Sequence, residues 1–467
     1  MYITLILFLA LFVLIGIYAG KHFKHNDADG YFMADRALNK WQIGISAGAT
    51  ANSGFIVVGA VGMGYAMGLS SMLYPLAWLL GDIIFWFFFA ERIRNKKSIS
   101  HAITVPEALE SNGTNRTLRV FSALVVLVLL MVYAASQFIA SVKVVSAFTD
   151  VSTTLALGLS FVFVVAYSVW GGFKSSVWTD IVQGIMMILL TLGMIIWGIT
   201  EVGGLSALVD GISAQGTKYT DLFGGRSLWA LLVFVLGFAF TGFGFSMSQP
   251  QVTTRIFAAS SPQAVKDSKW IYMAFLHFTW IGMCLIGIIA KLLMPEIQDA
   301  EIALPMMAKA YFPDYIIGAV FAAMIATILS SVDSLLVASA SAATVDFGLD
   351  KKVSEDKKIF LYRASIVVIG LLTLLMSIFM EATVFSAALF AATVLTASIG
   401  SAMVLIVLNL TKSSNTVLIA VAIGFFTAIL WRVLGYDSVV NDGLVGFVLA
   451  LIIALGYDRI VKKDKDG

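Results

Sequence analysis

The sequence predicts an all-α integral membrane protein, built as a five-plus-five inverted repeat with about 13 transmembrane helices. Three observations predict it. Hydrophobic residues make up 60% and charged residues only 12% of the 467 positions, about half the charge of an ordinary globular domain, and mean hydropathy is +0.94. Apolar runs near the length of about 20 residues that crosses a bilayer recur so closely that almost no chain remains for a soluble domain. Two of those runs, five apart in order, are interrupted by small and polar residues.

The first run, 2–20, is too long and evenly apolar for a cleaved leader, and K-H-F-K-H follows it rather than a small-residue cleavage site. It reads as a retained span. Further spans are expected at 42–69, 71–90, 119–141, 153–170 and 177–200, then at 227–249, 270–294, 314–344, 359–379 and 383–410, and finally at 414–434 and 439–459. The second contains S-A-G-A-T-A-N-S-G (46–54) and the seventh T-G-F-G-F-S-M-S-Q-P (241–250). Both are poor continuous helices, and irregular backbone at membrane depth is tolerated only where protein or a water-filled cavity satisfies it. Paired interruptions at matching places of two repeats point to a transporter's midplane binding site. The predicted organisation is therefore an extra N-terminal helix and cytoplasmic loop (1–41), a first repeat (42–200), a second repeat (201–412), and two C-terminal helices with a tail (413–467).

Connections after odd-numbered spans, with the tail, hold 24 of the 30 Lys and Arg residues, and the others hold 6. The positive-inside rule then puts the N-terminus outside and the C-terminus in the cytoplasm of a cell (inner) membrane protein. A net charge of +2 implies no nucleic-acid partner, and the single Cys284 forms no intrachain disulfide. The expected partners are a small-molecule substrate and the lipid bilayer.

The ninth span carries the densest polar signal. Thr327, Ser330, Ser331 and Ser334 fall at i, i+3, i+4 and i+7, one stripe of a helix, with Asp333 at its edge. A mid-span carboxylate costs about 2.5–3.5 kcal/mol on insertion scales and needs a compensating partner. Hydroxyls beside a carboxylate suit a hard, oxygen-loving cation and no transition metal. Asp180, near the start of the sixth span, is a second intramembrane acid that could share that site or favour the free N–H groups of its own first turn. His277, in the eighth span, reads as a satisfied packing residue.

No HExxH, GxSxG, Walker loop or paired cysteine occurs, and the protein is expected not to be an enzyme. An intramembrane hydrolase would need an aspartate pair in a Gly-x-Gly-Asp context, which neither Asp180 nor Asp333 has. A membrane sensor would need a signalling domain, and only ten residues follow Tyr457.

At five places the chain resembles the sodium:solute symporter family, and within it bacterial sodium/proline symporters. They are A-T-A-N-S-G in span two, R-T-L-R-V-F-S-A-L-V-V-L with V-Y-A-A-S in span four, G-G-F-K-S-S-V-W-T-D-I-V-Q entering span six, Q-P-Q-V-T-T-R at 249–255, and I-L-S-S-V-D-S-L-L in span nine. The resemblance implies the LeuT-type fold and uptake of a small organic solute driven by Na⁺, the coupling ion, with no organic cofactor. It implies a first sodium site formed by Ala51, Gly54, Thr327, Ser330 and Ser331, and a second, found in some members, formed by Asp180, Asp333 and Ser334. It implies a substrate pocket at Ser53, Gly54 and Tyr133. Proline carriers usually place an aspartate where this chain has Ala51 and a tryptophan where it has Gly242, so Phe243 or Phe245 is expected to rebuild the pocket wall beside Gly242. Proline or another amino acid is the first expected solute, and a different small carboxylate or sugar acid the alternative.

Overall fold

The computed structural model describes residues 2–20, 28–110 and 113–466. Every one of the thirteen segments expected to span is helical. Among the described residues, ten stretches are long and apolar enough to cross a membrane. One of these, Phe55–Asn95, runs the second half of span two into span three, while the shorter apolar helices include Ile6–Ile15 within span one (Tyr2–Gly20) and Thr153–Ala166 in span five. Spans five and six are two helices within Thr153–Glu201 that meet at Gly172, whose non-helical backbone (φ 50°, ψ −146°) makes the expected connection a tight one. A side chain at Gly172 would strike the Tyr31 carbonyl, so only glycine fits both the positive φ and the close approach.

Local sequence explains the ends. Asn39 opens the second span with a capping box: its side chain accepts from the Trp41 and Gln42 N–H groups, and the Gln42 side chain accepts from the Asn39 N–H. Asn115, Ser227 and Ser261 cap spans four, seven and eight by a single side-chain bond each, accepting from the Leu118, Ala230 and Ala264 N–H groups. The part of the predicted 1–41 loop that is described is itself ordered: Ala28–Met33 is helical, Leu38 forms a parallel bridge to Ala259, and Arg36 reaches the Ser100 and His101 carbonyls.

Large apolar side chains such as Leu189, Ile196, Leu371 and Phe379 cover the exposed faces, as a lipid-facing surface requires. Spans two and eight approach through glycines rather than interdigitated side chains. A Cβ on Gly64 would lie 2.0 Å from the Cys284 carbonyl oxygen, and one on Gly287 would lie 2.0 Å from that of Val61. Because both obstacles are backbone, Gly287→Ala is expected to cost about 3 kcal/mol. A thermal melt of the purified variant in detergent that matched the parent would refute this packing.

Candidate functional site

The second span breaks between its two helical pieces, Lys40–Ala51 and a π-helical turn, Phe55–Ala60, that continues to Met67. Asn52 leaves helical geometry there (ψ 74°), and each freed N–H finds an acceptor. The Asn52 N–H donates to the Gly48 carbonyl and the Ser53 N–H to the Ala51 carbonyl. The Gly54 N–H donates to Gln137 Oε1 at 2.7 Å, and the Phe55 N–H to Ser53 Oγ at 3.1 Å. Asn52 Nδ2 donates to Thr279 Oγ1. Tyr133 and Gln137, one turn apart on span four, thus meet the consecutive residues Ser53 and Gly54, since the Ser53 and Tyr133 hydroxyls lie 3.1 Å apart. A Cβ on Gly54 would strike Ala140 and the Gln137 oxygen.

The seventh span is less irregular than the sequence suggested. Leu228–Ser248 is a continuous helix and the break is confined to Gln249 (ψ 111°), after which Pro250–Phe257 resumes. The glycines at 242 and 244 pack against neighbours instead of unwinding: a Cβ would meet Trp78 at the first and Thr396 at the second. Proline, which carries no N–H and disfavours a helical residue before it, sets the break.

Span nine presents its hydroxyl stripe to span two. Ser331 Oγ donates to the Thr50 carbonyl at 3.0 Å, and Ser330 Oγ to Asp180 Oδ1 at 2.5 Å. Thr327 Oγ1 donates back to the Ala323 carbonyl, which orients its oxygen lone pairs away from that bond and leaves both the hydroxyl oxygen and the Thr327 carbonyl able to face a cation. The structure therefore brings Ala51, Thr327, Ser330 and Ser331 to one region, and Thr50 joins them through its carbonyl. Gly54 sits on the far side of the break, where its N–H faces Gln137.

Of the three residues of the suggested second site, two belong to a network centred on Arg255, which comes from the helix after the seventh-span break and is 1% exposed. Arg255 Nη2 donates to Asp180 Oδ2 at 2.7 Å and to Ser334 Oγ at 2.8 Å, and Nε donates to Ser46 Oγ at 2.7 Å. Nη1 donates to the Gln251 carbonyl. Ser46 Oγ donates to Asp180 Oδ2 at 2.6 Å, and the Ser176 and Ser334 hydroxyls lie 2.9 Å apart. Spans two, six, seven and nine are tied together here by a guanidinium, so the charge balancing Asp180 is carried by the protein. The third residue, Asp333, is fully buried, and its carboxylate accepts no hydrogen bond; Ser168 and Ser176 are the hydroxyls facing it.

Beside the span-two break lies a cavity of about 20 Å³, room for little more than one water, lined by residues that include Ala51, Phe55, Trp78, Tyr133, Phe245 and Trp280. Trp78 packs edge-on against both Phe245 (5.2 Å) and Trp280 (5.4 Å). Of the expected wall residues, Phe245 lines the cavity. Phe243 does not: two positions away on the helix it faces outward against Phe89 and Phe447. Gly242 sits behind Trp78, whose indole fills the space a larger residue would need. Neither Trp78 nor Trp280 was singled out from the sequence, because an aromatic within an apolar run carries no period that distinguishes pocket from core. Arg255 was quoted within a motif but given no role, although a buried carboxylate needs a counter-charge and few intramembrane cations were available.

A helical membrane protein whose two broken helices flank a small cavity has the arrangement of a secondary transporter of the inverted-repeat class. The family model for the sodium:solute symporter family matches residues 31–424, and the chain belongs to that family, whose members couple sodium to solute uptake. It is 26% identical to the osmoregulated proline transporter OpuE of Bacillus subtilis (strain 168), over 99% of this chain and 95% of that protein. It is also 26% identical to the sodium/proline symporter of Escherichia coli (strain K12), over 97% and 91%. Among solved structures, a substrate-bound, outward-open Na⁺-coupled sialic acid symporter superposes with a TM-score of 0.82 at 20% identity, covering 98% of this chain and 97% of that one. The nucleobase-cation-symport-1 transporter Mhp1 in a closed conformation superposes with a TM-score of 0.58 at 12% identity, covering 93% and 95%. These likenesses place the fold in the LeuT-type class.

Proposed function

We propose that this protein carries proline, or another small amino acid, into the cell with Na⁺ by alternating access. It sits in the cell (inner) membrane with the N-terminus outside and the C-terminus in the cytoplasm. The observation that carries the reading is the Ser331 hydroxyl at 3.0 Å from the Thr50 carbonyl. It sets the hydroxyl pair of span nine against the end of a broken helix, beside the small cavity. The names of the relatives, two of them proline transporters, support the solute.

Na⁺ bound by Ser330, Ser331 and the carbonyls of Ala51, Thr50 and Thr327 joins the two spans and favours the state in which the solute pocket is formed. A ligand shifts such an equilibrium only by its differential affinity for the two states, and the coupling is reciprocal between ion and solute. Each charge moved inward is worth about 2.3 kcal/mol per 100 mV. The rings of Trp78 and Trp280 line the pocket, and their buried indole N–H groups have no hydrogen-bond acceptor; a rotation that turned them into the pocket would suit the carboxylate of an amino acid. The aromatic faces suit its ammonium. With Ala51 in place of a carboxylate, the pocket wall supplies no competing negative charge to that carboxylate.

The Arg255 network lies in the cytoplasmic half of the spans and seals the pathway on that side. On the other side, Phe55 stacks on Phe385 at 4.7 Å, and Phe385 lines a vestibule of about 600 Å³. A second sodium at Asp180, Asp333 and Ser334 requires Arg255 to withdraw from Asp180, which opening on the cytoplasmic side would achieve.

The test is a thermal-shift screen of amino acids and sugar acids, each with Na⁺ and with K⁺, followed by radiolabelled uptake into proteoliposomes. Proline is expected to stabilise the protein only with Na⁺, and to accumulate only down an inward Na⁺ gradient. Stabilisation by no amino acid, or equal stabilisation in K⁺, would refute the proposal.

A further inference from the structure

One helical turn from the solute cavity, the third span buries a carboxylate that the transport cycle above does not use. Asp82 is wholly inaccessible. Its Oδ1 accepts from Ser246 Oγ at 2.8 Å, on the seventh span three residues before the break. Its Oδ2 lies 3.7 Å from His277 Nε2 on span eight. Neither of those two atoms has a hydrogen-bond partner, so His277 is not the satisfied packing residue expected from the sequence.

The tautomer decides what lies between them. His277 Nδ1 is 3.0 Å from the Met273 carbonyl oxygen, and a carbonyl only accepts, so Nδ1 carries a hydrogen. In the neutral ring, Nε2 is then a bare lone pair. A carboxylate oxygen and that lone pair would face each other in a buried site, with no hydrogen bond made to either atom; the Tyr272 hydroxyl is the other donor that bears on Asp82. One added proton resolves this, whether it sits on Asp82 and is donated to Nε2 or sits on Nε2 and is donated to the carboxylate. It takes the pair from a net charge of −1 to 0, removing an unpaired intramembrane charge.

The other titratable groups nearby leave the pair to balance itself. From span eight, the Tyr272 hydroxyl lies 3.4 Å from Ser246 Oγ, with its ring 4.7 Å from that of Trp86 on span three. Tyr133 of span four faces Tyr272. Among the described residues, Asp82 has no Lys or Arg within ion-pair distance.

We propose that Asp82 and His277 form a proton-binding site, distinct from the sodium sites, which takes up one H⁺ when spans three, seven and eight close together and releases it when span seven moves. Ser246 links the site to the break at Gln249. A displacement of the seventh span would part Ser246 from Asp82 and admit water, and the proton would then leave to solvent. The protein thus binds H⁺ as a second cation, linked to conformation.

The test is solid-supported-membrane electrophysiology on proteoliposomes of the full chain, in Na⁺-free and solute-free buffer. A jump from about pH 8 to about pH 6, bracketing the ordinary histidine range, is expected to displace charge in the parent. Asp82→Asn should abolish that current, and His277→Gln should move its pH midpoint by about one unit or more. A Na⁺ jump at constant pH should give the same current in Asp82→Asn as in the parent, which shows that the variant is folded. A pH-jump current unchanged in Asp82→Asn, or missing from a parent that responds to Na⁺, overturns the proposal. A parent that responds to pH and not to Na⁺ upholds the proton site and sinks the sodium reading instead.

Discussion

Arg255→Ala is expected to reduce Na⁺-driven uptake to background and to open the cytoplasmic side of the protein. Truncation leaves Asp180 buried without its guanidinium partner, a loss of about 3–5 kcal/mol in the state that holds the network together. At 1.4 kcal/mol per tenfold, that shifts the population toward states that hydrate Asp180 by roughly 100-fold or more. A reporter exists for this change. Ser341 is buried, and it lines a cavity of about 10 Å³ together with Phe32, Met33, Arg255 and Ser334, while the native Cys284 is wholly buried. A cysteine introduced by Ser341→Cys should react slowly with a maleimide presented to inside-out vesicles, and at least tenfold faster when Arg255→Ala is added. Equal labelling rates would show that Arg255 is not part of a closure. Arg255→Lys should not rescue, because a point charge cannot reach Ser46, Asp180 and Ser334 together as the planar fork does.

Ser331→Ala is expected to raise the Na⁺ concentration for half-maximal uptake by roughly 10- to 100-fold. Losing one oxygen that faces a charged group is worth about 1.5–3 kcal/mol. The hydroxyl of Ser331 touches only the Thr50 carbonyl, so maximal uptake at saturating Na⁺ should be largely retained. Ser330→Ala removes a hydrogen bond to Asp180 as well, so it should weaken Na⁺ dependence and also lower the maximal rate. An unchanged sodium half-saturation in Ser331→Ala would remove the site from span nine. The split between the two serines separates ion binding from closure, which a general loss of stability would not do.

Much of the fold could be read from residue order because a bilayer leaves few options. A chain this apolar has to form helices, and their lengths follow from bilayer thickness. The positions that departed from expectation share one cause. Gly172 shortened the expected loop to a tight junction between two helices, and Gly242 and Gly244 stayed helical, because a glycine in an apolar run signals either an irregular backbone or a close neighbour. Here Tyr31, Trp78 and Thr396 decide which. Asn52 and Pro250 were better guides, since an amide side chain and a missing N–H change what the backbone itself can do.

The sequence by itself determined that the chain lives in a membrane, that it is built of helical segments of which ten described stretches are long and apolar enough to cross, that two of them are interrupted, and that a stripe of hydroxyls with an acid lies on the ninth. Those are properties of the period and polarity of single helices. Only the tertiary structure decided which charges meet: that Asp180 is answered by Arg255 from 75 residues away, that Asp82 faces His277, and that Trp78 and Trp280 wall the cavity. Such pairings depend on which helix faces are brought together and at what rotation. In a low-dielectric interior, a difference of a few ångströms decides whether a buried charge is balanced, and no local pattern in the chain records that distance.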